Sequence, residues 1–167
     1  VQSLLSLTRM QQGTDRYPLR RADLSEFVEA CCDEFVPADR RGITLHRDIT
    51  AGVCTEFNHA LMSRVVQNLL QNAYKYGRED GRIDVALREQ DGSAVLTVAD
   101  DGIGIEQKNL DRIWQRFWQA DASRGEDGGS GLGLAMVKEI TQFHGGNVSV
   151  ESEPGRGSVF TVRIPVR

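Results

Sequence analysis

HALMSRVVQNLLQNAYKY, residues 59–76, decides the fold. Leu61, Met62, Val65, Val66, Leu69, Leu70 and Ala73 recur at three- and four-residue spacing, the apolar face of one helix. Arg64, Asn68, Asn72 and Lys75 follow at spacings of four, four and three and form a polar stripe opposite. Asparagine is a weak helix former, so two of them one turn apart cost helix stability. A solvated face is the ordinary explanation for such a stripe. A ligand face is the sharper one: amide oxygens are hard donors suited to Mg²⁺, and Lys75 adds a charge for phosphate on the next turn.

Downstream, RIDVALRE (82–89) and SAVLTVAD (93–100) read as two strands joined by the hairpin signal Gln90-Asp91-Gly92. The second runs straight into Asp100-Asp101-Gly102-Ile103-Gly104-Ile105. A carboxylate at the end of a buried strand can accept from an adenine exocyclic amine, and the glycines let backbone approach a flat ligand. An Asp-Gly pair by itself means only a turn. From Gly104 to Gly133 the chain is polar and glycine-rich, with a short helical patch near Leu110–Phe117. RGEDGGSG (124–131) has no apolar anchor and reads as mobile.

GGSGLGLAMV (128–137) is a glycine-rich loop opening a helix that runs from Leu132 to His144. Its free N–H groups and positive helix end favour phosphate. A Rossmann fingerprint fits poorly, since no strand precedes the loop and Met136 stands where the last glycine belongs. No Gly-Lys-Ser/Thr occurs, which excludes a Walker A loop. NVSVES (147–152) and GSVFTVRIPV (157–166) read as strands around Pro154-Gly155. Metal, adenine and phosphate contacts thus follow one another within 66 residues, 68 to 133.

Upstream, Asp23 caps a helix from Leu24 to about Val36, with Glu26 three residues on and Pro37 as its stop. ITLHRDI (43–49) and VCTEF (53–57) read as strands. VQSLLSLTRMQQG is either the end of a helix or an unordered tail; both readings stay open. Antiparallel strand signals mixed with three helices predict an α+β sandwich with the helices on one face.

The 167 residues suit one domain; 40% are hydrophobic and 26% charged, an ordinary globular balance. A net charge of -4 offers no basic footprint for nucleic acid, so a nucleotide needs backbone N–H groups, a metal or a few placed cations. Cys31, Cys32 and Cys54 have no CxxC spacing and read as small buried thiols in a reducing compartment. No signal peptide or apolar run of membrane-spanning length occurs, so a cytoplasmic location without membrane contact by this stretch is expected.

At this point a family resemblance emerges. NLLQNAYKYG (68–77) resembles the N-box of sensor histidine kinases, and DDGIGI (100–105) their first glycine box. RFWQAD (116–121) is similar to the F-box, GGSGLGLAMV to the second glycine box and GRGSVF (155–160) to the third. The five boxes cover roughly residues 20–165 in the family's order. The resemblance implies the Bergerat nucleotide-binding fold, a two-layer α/β sandwich whose mixed, mostly antiparallel sheet carries three main helices on one face and a flexible ATP lid.

It further implies ATP and Mg²⁺ as cofactors, Asn72 as the main Mg²⁺ ligand with Asn68 behind it, and Lys75 on phosphate. Tyr76 would line the adenine pocket and Asp100 would hydrogen-bond adenine, with Gly102, Ile103, Gly104 and Ile105 beside the nucleotide. Gly129 and Ser130 lead into Gly131, Leu132, Gly133 and Leu134, which would close the lid over the phosphates with Phe117 as its anchor. Many relatives carry an arginine after the F-box aromatic; here Gln119 follows Trp118, so Arg116 or Arg124 would supply that charge.

No His-Glu or His-Asp acceptor box occurs. His46 falls in an edge strand, His59 near a helix start, and His144 at a helix C-terminus before its glycine cap, where a cation is favoured. The resemblance therefore implies that residues 1–14 end a dimerisation and phosphoacceptor hairpin, and that 15–167 form the ATP-binding catalytic domain. The γ-phosphate would pass to a histidine on that hairpin, in cis or in trans within a homodimer, and a response regulator would be served indirectly. The rivals are a gyrase- or chaperone-type ATP hydrolase, an anti-sigma-type serine kinase, and a silent ATP-binding interaction module. Hydrolases of the fold keep a glutamate four residues before the metal asparagine, where this chain has Asn68.

Overall fold

Asp23 ends one element and begins the next. It is the last residue of a short strand, β1 (Arg20–Asp23), and its side chain accepts the Glu26 N–H at 2.9 Å to cap α1 (Leu24–Glu34). The computed structural model describes residues 17–116, 118 and 133–167. After α1 come β2 (Thr44–Ile49), β3 (Cys54–Phe57), α2 (His59–Tyr76), β4 (Arg82–Gln90) and β5 (Ser93–Asp100). A 3₁₀ turn (Gln107–Asn109) precedes α3 (Gly133–Phe143), β6 (Asn147–Glu153) and β7 (Gly157–Pro165). The expectations for residues 1–14, for Phe117, Arg124, Gly129, Ser130, Gly131 and Leu132, and for the loop 124–131 fall on residues that lie outside that description or are not covered by it.

Five strands form one sheet in the order β2-β4-β5-β7-β6, antiparallel except where β2 runs parallel to β4. β1 and β3 pair as a separate two-stranded sheet. Alternation settles which face the helices cover. Ile83, Val85 and Leu87 on β4, Ala94, Leu96 and Val98 on β5, and Phe160, Val162 and Ile164 on β7 are all buried. Asp84, Ala86 and Arg88 occupy the other face with Thr97 and Thr161. Against the buried face α2 sets Val65, Val66, Leu69 and Leu70, joining one continuous core with Val137 and Ile140 of α3. The architecture is the expected α+β sandwich.

Two elements end differently from the reading of the sequence. α1 stops at Glu34, where the Phe35 N–H reaches Cys31 O at 3.0 Å and the chain turns extended. Val36 precedes Pro37, and a residue in that position is pushed out of helical geometry. Of the patch expected near Leu110–Phe117, residues 110–116 hold turns after the 3₁₀ segment instead of a helix. Ile113 is the buried side chain there, and Trp114 sits edge-on to Phe160 at 5.9 Å, so no stripe exists to bury. Cys31 and Cys32 are buried free thiols, and burial pushes Cys31 up to about 11, far from a reactive thiolate. No described helix is long and apolar enough to cross a membrane.

Candidate functional site

The polar stripe of α2 is half-buried at Arg64, Asn68, Asn72 and Lys75. α3 begins directly beside it: a Cβ placed on Gly133 would stand 3.5 Å from Asn68 Oδ1. At the other end of the stripe the first glycine turn is fastened to α2 by the Ile103 N–H, which donates to Tyr76 O at 3.1 Å. Gly102 is required there, because a Cβ would lie 2.0 Å from that same carbonyl. Asn68 to Tyr76 therefore measures about 12 Å along the helix at its 1.5 Å rise per residue. Lys75 Nζ lies 5.3 Å from the Tyr76 ring centre.

Asp100, the last residue of β5, accepts the Gly102 N–H at 2.9 Å on one oxygen. Burial raises its carboxyl from 3.8 to about 6, with backbone donors from Gly102 and Ser158 acting against the rise and Asp101 adding to it. Asp101 is committed elsewhere. Its oxygens take the Arg82 N–H and the Arg78 guanidinium, each at 3.0 Å. Burial works against ionising Asp101, but those donors hold it below the ordinary carboxylate range. Of the two neighbouring acids, Asp100 keeps accepting capacity for a ligand and Asp101 ties the loop to β4.

The rest of the glycine turn is pinned by the β6–β7 connection. Gly104 has φ +73°, and a Cβ on it would come within 2.1 Å of Glu153 O. Gly155 N–H donates to Ile103 O at 2.8 Å, and the Ile105 N–H to Ser152 Oγ at 2.7 Å. Ser152 is buried and passes its own proton to Gly157 O at 2.8 Å. Ser152 escaped the sequence reading, for a serine in a strand carries no pattern of its own. So did Arg41, whose Nη1 donates to Tyr74 O at 3.0 Å and Lys75 O at 3.1 Å, closing the C-terminal turn of α2 with a cation.

Arg116 is drawn to α3 by an ion pair with Glu139 at 2.8 Å. Leu134 packs half-buried on the core and Ile103 is exposed. His46 lies on the edge strand β2, and His59 stacks on Phe57 and stands edge-on to Phe27. His144 corrects the sequence reading: it is buried and presents no cation at the end of α3. Burial lowers its pKa, the Ile140 carbonyl contact opposes that, and Arg167 adds to the lowering.

The Asn68 amide and the start of α3 thus lie together at one end of the stripe, and Lys75, Tyr76, the glycine turn and the Asp100 carboxylate lie toward the other. No cluster of three or more His, Cys, Asp or Glu side chains able to hold a metal occurs among the described residues. A metal at the amide end would take most of its ligands from water and from the bound molecule, as Mg²⁺ on a nucleotide does.

Residues 58–167 match the family described as Histidine kinase-, DNA gyrase B-, and HSP90-like ATPase. Similar sequences include the sensor histidine kinase RppB of Synechocystis sp., 36% identical over 99% of this chain and 37% of its own length. The signal transduction histidine-protein kinase AfsQ2 of Streptomyces coelicolor is 34% identical over 99% of this chain and 30% of its own length. The chain spans about a third of the length of these curated relatives. Among solved structures, the mycobacterial sensor histidine kinase MprB superposes with a TM-score of 0.77 at 28% identity, over 90% of this chain and 99% of that one. Full-length ShkA, solved in complex with AMPPNP, superposes with a TM-score of 0.80 at 24% identity, over 96% of this chain and 34% of that one.

Proposed function

We propose, because this chain belongs to the family of histidine kinase-, DNA gyrase B- and HSP90-like ATPases, that it binds Mg·ATP and donates the γ-phosphate to a histidine on a separate helical hairpin. The observation that carries this reading is the α2 stripe, bracketed by Gly133 beside Asn68 at one end and by the Gly102–Ile103 turn at Tyr76 at the other. Its length of about 12 Å suits a nucleotide laid along the helix. Asp100 takes the adenine amine, Tyr76 lines the ring, and Gly102, Ile103, Gly104 and Ile105 form the backbone floor. Lys75 and the N–H groups at the start of α3 meet the phosphates. Asn72, with Asn68, would hold a metal through amide oxygens, and bound Mg²⁺ would supply neutralisation of phosphate charge.

The protein's part in transfer is positioning and electrostatics. The groove orients the γ-phosphate outward, and Arg116, tethered to α3 through Glu139, is a cation beside the path. His46 on an edge strand, His59 in an aromatic stack and His144 in the core are poor acceptors. The phosphate therefore goes to a hairpin partner, in cis or across a dimer, and on to a response regulator. ATP as donor puts this part of the kinase in the cytoplasm. Residues 15–167 would be the catalytic domain and 1–14 the tail end of the hairpin.

Hydrolysis is the competing reading, and Asn68 disfavours it. A carboxylate one turn before Asn72 could take a proton from water, whereas an amide cannot, so general-base assistance of roughly 10²–10⁴-fold is missing. Incubation with γ-labelled ATP tests both. The chain alone should bind ATP, release little phosphate and carry almost no acid-labile label, and a histidine-bearing hairpin should gain label when added. Fast release of free phosphate would establish the hydrolase instead.

A further inference from the structure

His144 follows α3 directly and lies against the residue that caps α2. Its Nδ1 is 2.8 Å from Ile140 O, which can only accept, so Nδ1 carries the proton. The Asn58 N–H, which can only donate, points at Nε2 from 3.1 Å, so Nε2 carries the lone pair. Two partners of fixed character leave one state, the neutral Nδ1–H imidazole. Asn58 in turn caps α2 by accepting the Leu61 N–H at 3.0 Å, and donates its side-chain amide to Pro18 O at 3.0 Å. The ring is a joint between the end of α3 and the beginning of α2.

At their far ends the helices meet where Gly133 lies against Asn68, and between the two ends Arg64 Nη1 lies 3.9 Å from Met136 Sδ. The stretch of α2 between the two contacts runs from its cap Asn58 to Asn68, and α3 with His144 runs antiparallel to it, from Gly133 beside Asn68 to His144 beside Asn58. The two spans, ten residues and eleven, are about 15 and 17 Å at helical rise. An antiparallel pair joined at both ends has little freedom to slide. We infer that His144 is a positioning residue for the nucleotide site, its neutral ring fixing α3 along α2 so that Gly133 stays beside Asn68. The inference rests on the nucleotide reading given above.

Protonation reverses the joint. A proton on Nε2 would face the Asn58 N–H, donor against donor. Arg167, whose guanidinium lies over Gly145, opposes that proton, as does burial. The other groups around the ring carry no charge that favours it: Ile140 and Thr141 from α3, Phe143 at 5.6 Å with Tyr17 beyond it, and Asn58 and Phe57 before α2. His59, the remaining titratable neighbour, is stacked on Phe57 at 4.6 Å. The ring thus stays neutral at ordinary pH, and acid opens the joint.

The test compares ATP with adenosine, since only ATP reaches the start of α3. His144→Phe removes the acceptor, and His144→Gln offers an amide oxygen in its place. Near neutral pH the Phe variant should lose about three- to tenfold in ATP affinity, the equivalent of one hydrogen bond, while adenosine changes less than about twofold. The Gln variant should recover most of the loss. As pH is brought from neutral to well below the ordinary imidazole value of 6.5, the ATP-to-adenosine ratio should fall further in the parent than in the Gln variant, proton uptake by the phosphates being common to both. Equal loss of ATP and adenosine in the Phe variant, or an unchanged ratio, would overturn the inference. If the Phe variant does not fold, identical pH dependence in parent and Gln variant overturns it. A ring shown by ¹⁵N NMR to be protonated at Nε2 near neutral pH also overturns it. A parent chain that binds neither ligand would sink the nucleotide reading itself.

Discussion

Burial lifts the Asp100 carboxyl to about 6, so the empty fold favours its protonated form while an adenine amine favours its ionised one. The pKa is raised relative to the unfolded chain, so the stability it brings is complete below about 3.8 and is lost as pH rises through about 6. Asp100→Asn should therefore be at least as stable as the parent at neutral pH, with that advantage shrinking toward acid; thermal melts across the range check this. The same substitution should weaken ATP by about tenfold or more and erase its preference over GTP, measured by calorimetry. ATP affinity of the parent should decline below about pH 6, adenosine following it. In the polar stripe of α2, Asn72→Ala should leave the melting temperature within a degree or two, for the residue is only half-buried and lies outside the apolar core. Its effect should be loss of the Mg²⁺-dependent part of ATP affinity, and an unchanged Mg²⁺ dependence would remove Asn72 from the metal.

At the scale of elements, α2 was legible to the residue because its apolar and polar stripes agree with its caps and its length. The β4–β5 hairpin was equally plain, Asp91 and Gly92 both standing at positive φ as a tight turn demands. β1 was not legible. RRAD has no alternation, and the strand exists because β3 supplies a partner and Asp23 is needed as a cap. His144 was misread for a related reason: its place after a helix suggested a cation, but its partners come from Asn58, 86 positions away. Arg41 is hidden in the same manner, acting on carbonyls 33 and 34 positions on. Arg41→Ala should destabilise the chain by about 1–2 kcal/mol, the worth of a charged donor at a helix end, and loosen amide exchange at Tyr76 and Gly77. Unaltered exchange there would mean that the α2 terminus holds itself.

Across the whole molecule, Phe160 links the sheet to what lies above it, fully buried and edge-on to Trp114. Phe160→Ala should cost about 3–5 kcal/mol, with one cooperative transition retained in denaturant, because the core is continuous. Two separate transitions would mean that the small β1–β3 sheet and the main sheet fold apart. The β4–β5 hairpin also has a practical use. Asp100 stands at its base beside the glycine turn, and Asp91–Gly92 form its tip, about 27 Å away at strand rise. Nothing lies within 4 Å of a Cβ on Gly92, and beyond its pairing the tip's carbonyl holds one bond, from the Val166 N–H. A dye or short peptide tag grafted at the tip would hang clear of the proposed nucleotide site at the far end of the same two strands, a convenient handle for tethering the domain or for reading its tumbling in solution.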